Sequence, residues 1–470
     1  GHGSALAQPY NHMIMPLANS RDKLTQIRWG IEDFKCRFKR NPVGMWLPET
    51  AVDIETLDLL AEEGIRFTLL APSQAKQIRS KATSNWVSVN ENSLDTTRPY
   101  KIQLPSGRPF SIFFYDKNVS HQLAFENLLS NGDKFLNNLT SKFSTDASNV
   151  ELVHAATDGE TYGHHHKFGD MTLAYVLDQL QHHDSYSLTN YAQFLENHPP
   201  SSEVEIWENT SWSCAHGIER WRSNCGCHTG GEEGWSQAWR KPLRNSLDDL
   251  RDQFERGFEM TIKPLVKDPW AARNDYIHLL QPDKDFENFF IRHGKTTLEE
   301  NEKVNILKWL EIQRNAMLMY TSCGWFFNDI SGIETEQILR YASFALELYS
   351  QLDEINIESS FLLTLKGAKS NIQKWNDGKY IYEKMVGATR VSVEQIFSCG
   401  LLGYLLNNSV DIVSVGTHSI AVTNVEKLRQ GSSELIFGTG EVSSKAVLET
   451  KPLEFYSIHD GDGEFKNFIF

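Results

Sequence analysis

Two carboxylates stand where apolar runs give out. Glu49 follows Met45-Trp46-Leu47-Pro48, and Asp158 closes the run Leu152-Val153-His154-Ala155-Ala156-Thr157. Pro48 has no N–H for a strand ladder and fixes its own φ, so the chain must leave a sheet there and present Glu49 at its end. Two acids at the carboxyl ends of different strands can flank a single bond. Glycoside cleavage needs that arrangement, one group donating a proton while the other acts as nucleophile or base. The plainer reading is that each acid caps a helix or pairs with an arginine.

Three further groups could carry chemistry. Glu160 with His164, His165 and His166 offers carboxylate and imidazole ligands for zinc or another transition metal that activates water. Consecutive residues diverge, however, so contacts from Glu160 and one or two of these histidines to substrate hydroxyls suit the spacing better. Cys214, His216, Cys225 and Cys227, with His228 adjacent, put five soft ligands within 15 positions. One reading is a structural metal, although the paired cysteines lack the spacers of a usual zinc ribbon; buried thiols or one disulfide are the other. Trp212 and Trp221 lie nearby and serve either as core or as platforms for sugar faces. The loop Trp325-Phe326-Phe327-Asn328-Asp329 suits closure over a carbohydrate, or packs on its own aromatics between two helices. No phosphate loop G-x-x-x-x-G-K-[ST], no G-x-G-x-x-G after a strand and no G-x-S-x-G elbow occurs, which counts against nucleotide, dinucleotide and serine-hydrolase chemistry.

The elements that must hold these residues follow from periodicity. An amphipathic helix is expected from Asp22 to Phe34, with Leu24, Ile27, Ile31 and Phe34 on one stripe. Met45 to Leu47 reads as the end of a buried strand. Asp53 can cap a helix whose face is Ile54, Leu57, Leu60 and Ala61, Gly64 ends it, and Ile65 to Leu70 is another strand. Residues 73–98 are polar and read as a surface excursion. Tyr100–Leu104 and Pro109–Tyr115 form a hairpin about Pro105-Ser106-Gly107. Glu151 to Ala156 reads as a strand, Phe168 to Gln181 as a helix and Val204 to Trp207 as a strand. Helical spacing then runs through 241–280, 297–320, 333–366 and 391–406. From about Asp411 short strands alternate with turns: Ile412–Val415, Ser419–Val422, Glu434–Phe437 and Ala446–Glu449.

At 470 residues, two or three domains are expected. The boundaries drawn from texture are a catalytic α/β region over 1–234, a helical domain over 235–408 and an incomplete β-rich segment over 409–470. With 46 Lys and Arg against 61 Asp and Glu the net charge is −15, which argues against a nucleic-acid backbone or an anionic membrane as partner. No apolar run approaches the length of a membrane span. Six scattered cysteines do not make a secreted disulfide framework, and a cytoplasmic location is the expectation. The chain opens on Gly1-His2-Gly3-Ser4 and closes on Lys466-Asn467-Phe468-Ile469-Phe470, which reads as a fragment cut at both ends. Oligomeric state is open.

Gly44-Met-Trp-Leu-Pro-Glu49-Thr-Ala and Asp158-Gly-Glu-Thr-Tyr-Gly-His164, in that order and about a hundred residues apart, resemble glycoside hydrolase family 57. Its members include α-amylases, 4-α-glucanotransferases, amylopullulanases and branching enzymes. Tyr10-Asn-His12-Met-Ile-Met-Pro-Leu17 looks like the family's preceding motif, and Trp325 to Gly332 falls where its last motif would. The longer pattern, cysteines included, looks like a bacterial subgroup whose catalytic region precedes a domain of unknown function. The resemblance implies an α/β fold, an incomplete (β/α)7 barrel followed by a helical bundle, and a retaining double displacement on an oligo- or polysaccharide without a required cofactor. By motif position it makes Glu49 the nucleophile and Asp158 the general acid/base, with His12, Trp46, His164 and Asp329 as candidate substrate contacts. Glu160, Trp212 and Trp325 join them from the residue reading. Retention implies carboxyl groups about 5–5.5 Å apart. The family's opening His-Gln-Pro-like motif has no counterpart here. The expectation is therefore a barrel lacking its first strand and a piece that is inactive on its own. A metal-dependent carbohydrate deacetylase or mannosidase-like hydrolase, and a non-catalytic carbohydrate-binding protein, are the rival readings.

Overall fold

Pro48 does end an extended run, but Met45 to Leu47 is not a continuous strand. In the computed structural model, which describes residues 3–80, 85–144, 150–353, 355–406, 412–460 and 464–470, Gly44 and Met45 make single parallel bridges to Phe67 and Ala7. Ala7 N–H donates to Gly44 C=O, Trp46 N–H to Ala7 C=O and Met45 N–H to Phe67 C=O. The chain divides into two units: Gly1–Lys241 with Ile277–Asp283 and Tyr320–Asn328, and Pro242–Tyr276 with Lys284–Met319 and Asp329–Phe470.

The first unit is a mixed α/β structure. Its strands are β1 (Phe67–Leu70), β2 (Ala75–Ser80), β3 (Val87–Ser88), β4 (Tyr100–Ile102), β5 (Phe110–Phe114) and β6 (Ser202–Ile206), in the spatial order β1-β5-β4-β6-β2-β3. β1 and β5 are parallel, with Phe67 opposite Ser111, and both are buried along their whole length. Such continuous apolar runs are what a strand covered on both faces requires. The expected hairpin is present as β4 and β5. The stretch 73–98, expected to be irregular surface, supplies β2 and β3, because β6 offers its free edge to β2 in antiparallel register. Glu151 to Ala156 forms no strand; Leu152 N–H reaches Thr97 C=O, and His154 C=O accepts from Asp116 N–H. Isolated contacts of this kind do not make a ladder.

Around this sheet the helices form as their caps dictate. Asn19 caps the helix Ser20–Phe38 through Asp22 N–H, and Asp53 caps Ile54–Glu62 through Thr56 N–H while paired with the buried Lys23. The helix Gly169–Gln181 covers a small core of Val119, Leu123, Leu129, Phe135 and Val176.

In the second unit Leu243, Leu247, Leu250, Phe254, Phe258 and Ile262 form the buried stripe of the helix Arg240–Ile262. The helices Glu300–Leu318 and Ile333–Ser350 add further buried apolar faces. An antiparallel sheet follows, β7 (Ile412–Val415), β8 (His418–Gln430), β9 (Ser433–Ser444), β10 (Thr450–His459) and β11 (Phe465–Ile469), each strand beside its neighbours in sequence. It packs Ile420, Val422, Ile436, Val442, Leu453 and Phe455 on Phe397 and Leu401 of the helix Val393–Leu406. Ala446 to Glu449 is not a strand but the turn region between β9 and β10, where Leu448 takes a positive φ. Asp411, where the sequence texture changes, lies outside the described residues. Among the described residues no helix is long and apolar enough to cross a membrane.

Candidate active site

His12 is held from two sides. Gly30, within the helix Ser20–Phe38, lets residue Gln8 approach so closely that a Cβ would sit 2.0 Å from the Gln8 carbonyl oxygen. Gln26 on the same helix donates to Asn11 Oδ1 and accepts from Asn11 N–H, both at 2.6 Å. His12 therefore sits on a tethered segment, with a positive φ of 53°. Its Nδ1 lies 2.8 Å from Ser322 Oγ, and its carbonyl accepts from Ser322 N–H. Burial pulls the imidazole below its ordinary pKa, opposed by the charges of Glu49 and Asp158. That places both carboxylates in the field of one ring.

Glu49 sits in a strained turn. Its φ is 58° and that of Thr50 is 50°, left-handed values that a β-branched residue rarely adopts. Strain of this kind, on the order of 1–3 kcal/mol per residue, persists only where the surroundings over-determine it. Gln74 supplies that constraint: its Oε1 accepts from Thr50 Oγ1 and Ala71 N–H, and its Nε2 donates to Thr50 C=O and Thr210 Oγ1. Residues 49–52 then run antiparallel to 209–212, Val52 N–H donating to Thr210 C=O and Trp212 N–H to Glu49 C=O. This pairing delivers two donors to one oxygen. Trp212 Nε1 lies 2.8 Å and Ser213 Oγ 2.6 Å from Glu49 Oε2. Oε1 has no hydrogen-bond partner among the described residues. Trp46 meets Trp212 edge to face at 5.2 Å, and Tyr115 closes on Trp212 from another side.

Asp158 is treated differently. It is exposed and its carboxylate makes no hydrogen bond among the described residues. Desolvation by the surrounding protein, and next the charge of Glu160, hold its carboxyl above the usual carboxylate range; His165 and His12 oppose this weakly. A carboxyl so placed keeps its proton to higher pH. Glu160 and His164 are exposed beside it, and His165 N–H donates to Glu160 C=O. His166 turns away, its Nε2 3.0 Å from Ala124 C=O. Among the described residues Asp158, Glu160 and the histidines do not bring three ligand atoms around one point, so the metal arrangement weighed for this loop is not formed.

Two expected contacts are buried and engaged by their own neighbours. Trp325 is only 1% exposed, stacked on Tyr320 with rings 4° from parallel, and shows no face to a ligand. Asp329 is 6% exposed, and its oxygens accept from Ser331 N–H, Ser370 Oγ and Asn371 N–H, so it fastens a loop of the second unit. Trp221 is fully buried, its Nε1 donating to Ser322 C=O. Conversely, Ser213, Gln74 and Ser322, which no motif singled out, bond to Glu49, Thr50 and His12. The only available hint was that Ser213 follows Trp212.

Cys214, His216, Cys225 and Cys227 do come together, their ligand atoms all within 4.8 Å of one another. Burial pushes the Cys214 thiol up to about 12. Burial also opposes ionisation of Cys227, but hydrogen bonds from His216, Cys214, Ala215 and Cys225 outweigh it and bring that thiol down to about 7. His228 stands apart, bonded to Gly230 C=O.

Residues 1–206 match the family described as glycosyl hydrolase family 57, and residues 235–469 match a domain of unknown function, DUF3536. No curated protein matches the chain. Among solved structures, an exo-type maltose-forming amylase from Pyrococcus sp. ST04 is 16% identical with a TM-score of 0.61, over 77% of this chain and 65% of its own. The chain thus spans somewhat less than two thirds of that enzyme's length. The α-amylase AmyC of Thermotoga maritima is 13% identical with a TM-score of 0.47, over 82% of this chain and 73% of its own. A branching enzyme from Thermococcus kodakaraensis is 15% identical with a TM-score of 0.47, over 83% and 72%. The amylase of Pyrococcus shares the fold of this chain.

Proposed function

The chain belongs to the DUF3536 family by its C-terminal half, residues 235–469, and residues 1–206 match glycosyl hydrolase family 57; from that match we propose that it cleaves or transfers α-glucan linkages by a retaining double displacement. Glu49 Oε1 attacks the anomeric carbon as the glycosidic C–O bond breaks, and the departing oxygen takes the proton of Asp158. Asp158, now a carboxylate, removes a proton from water or a sugar hydroxyl, whose oxygen displaces Glu49 from the anomeric carbon. The observation that carries this reading is the turn that aims Glu49, whose Oε2 accepts from Trp212 Nε1 and Ser213 Oγ; its charge, like that of Asp158, also reaches His12. The division of labour is supported by environment, since Glu49 is fixed through one oxygen and Asp158 is kept unbonded with its carboxyl raised.

His12, Trp46, Trp212, Glu160 and His164 line the approach as substrate contacts in this reading. The parallel succession of Ala7, Met45, Phe67 and Ser111 supports a (β/α)7-barrel wall within a catalytic region of residues 1–234. Residues 235–408 then form the helical domain, and 409–470 the β-rich segment. The α-glucan class draws on the amylase whose fold is shared.

The test is product analysis on maltooligosaccharides and branched glucans, with the anomeric form followed by NMR from the first turnovers. Retained configuration, abolished by Glu49→Gln, is expected. Products of inverted configuration, or full activity in Glu49→Gln, would sink the assignment.

A further inference from the structure

Three thiols and an imidazole have been brought within contact distance in the loop that carries Trp212 and Ser213. Cys214 Sγ lies 3.9 Å from Cys225 Sγ, and Cys227 Sγ lies 3.5 Å from His216 Nδ1. Tetrahedral zinc with bonds of about 2.3 Å to sulfur and about 2.0 Å to nitrogen sets such ligand pairs roughly 3.5–3.8 Å apart. These two spacings match edges of a coordination tetrahedron and exceed a disulfide bond by far, and all four ligand atoms lie within 4.8 Å of one another.

A second observation concerns charge. Arg240 and Arg220, 0% and 4% exposed, flank the cluster. Arg240 donates to Cys227 C=O, Phe326 C=O and Phe327 C=O, with Nη1 3.9 Å from Cys225 Sγ. Arg220 donates to Ser213 C=O, Thr229 Oγ1 and Phe326 C=O. Among the described residues neither is hydrogen-bonded to a carboxylate. Buried guanidinium groups need anionic neighbours; Arg220 already has Glu49 in its field, whereas Arg240 faces only the three cysteines. Three thiolates around a divalent ion carry a net charge of −1 and would supply one.

We propose that Cys214, His216, Cys225 and Cys227 bind one zinc ion in a closed Cys3His site that clamps the loop holding Trp212 and Ser213 against Glu49. Each ligating thiol gives up its proton to solvent on binding, and His216 ligates as the neutral imidazole through Nδ1. With four protein ligands the ion has no open position, so its role is structural. The chain from Cys214 back to Ser213 and Trp212 is one and two residues long, and Arg220 joins the cluster to the Ser213 carbonyl. Loss of the ion would free the two donors that fix Glu49 Oε2. None of this depends on the reaction at Glu49.

The experiment is metal analysis of the whole chain, purified with zinc and dialysed free of loose ion. About one zinc per chain is expected, and cobalt(II) exchanged in its place should give the strong visible absorption of tetrahedral thiolate coordination. Cys225→Ser and Cys227→Ser should each lower retained metal at least about tenfold. Should either variant fail to fold, alkylation of the unsubstituted chain decides: Cys214, Cys225 and Cys227 react after chelation and are protected before it. Zinc retained below about a tenth of an equivalent, or a Cys214–Cys225 disulfide in freshly purified protein, overturns the site. Hydrogen exchange tests the clamp separately. Chelation should speed exchange of the peptide 207–218 about tenfold while leaving 412–459 unchanged, and equal exchange with and without the ion overturns the clamp.

Discussion

The turn at Glu49 and the turn at Asp158 solve opposite problems with the same functional group. Around Glu49 the backbone is strained, Gln74 makes four hydrogen bonds to hold it, and two donors converge on a single oxygen. Around Asp158 no described residue is bonded to the carboxylate, and desolvation by the surrounding protein together with Glu160 raises it. A carboxyl that must attack along one direction gains from being aimed; one that must exchange a proton gains from being left free. The difference between the two turns, more than either turn alone, supports distinct roles for them.

The sharpest break of that comparison is by substitution. Glu49→Gln is expected to lower kcat at least about 10,000-fold on every substrate, since in the proposed mechanism Glu49 forms the covalent bond. Asp158→Asn should cost about 100- to 10,000-fold on natural glucans. On an aryl glycoside whose leaving group needs no proton, the first step of Asp158→Asn should recover, whereas Glu49→Gln should not. Equal recovery in both variants would erase the assigned difference. Next in size is Gln74→Ala, which leaves the buried Thr50 hydroxyl and carbonyl without their partner. It should destabilise the first unit by about 2–4 kcal/mol in urea unfolding and lower kcat with it. Full stability would show that the left-handed turn is held by something else. Ser213→Ala, which removes one donor to Glu49 Oε2, should lower kcat about 10- to 100-fold with KM little changed. A change confined to KM would make Ser213 a substrate contact rather than a positioning residue.

Much of this arrangement was readable in the chain. Pro48, the cap at Asp53, the β4–β5 hairpin and the gathering of four of the five soft ligands all follow from local chemistry. What escaped was decided by partners distant in sequence. Residues 73–98 look like loop until β6, more than a hundred positions later, supplies an edge for β2. Glu151 to Ala156 has a strand's composition, but its neighbours offer single hydrogen bonds rather than a ladder. Trp325 and Asp329 carry the residue types of a sugar site. Burial against Tyr320 and the bonds to Ser370 and Asn371 assign them to packing instead. Gln74 and Ser213 are commonplace residues whose weight comes only from what faces them.

The smallest expected effect probes the field at Asp158. If Asp158 is the proton donor, kcat/KM falls on the alkaline side as its proton is lost, so that limb reports its pKa in the free protein. Desolvation is the largest cause of the raised value and Glu160 the second. Glu160→Gln removes a like charge that disfavours the carboxylate, so Asp158 loses its proton more easily and the alkaline limb moves toward acid, partway only, since desolvation remains. His165→Asn removes a group that favours the carboxylate, so the limb moves the other way. Opposite displacements from two exposed neighbours, with the acid limb in place, cannot arise from general loosening of the loop, which would shift both variants alike. Shifts of the same sign, or an alkaline limb indifferent to both, would mean that the proton lost there belongs to another group.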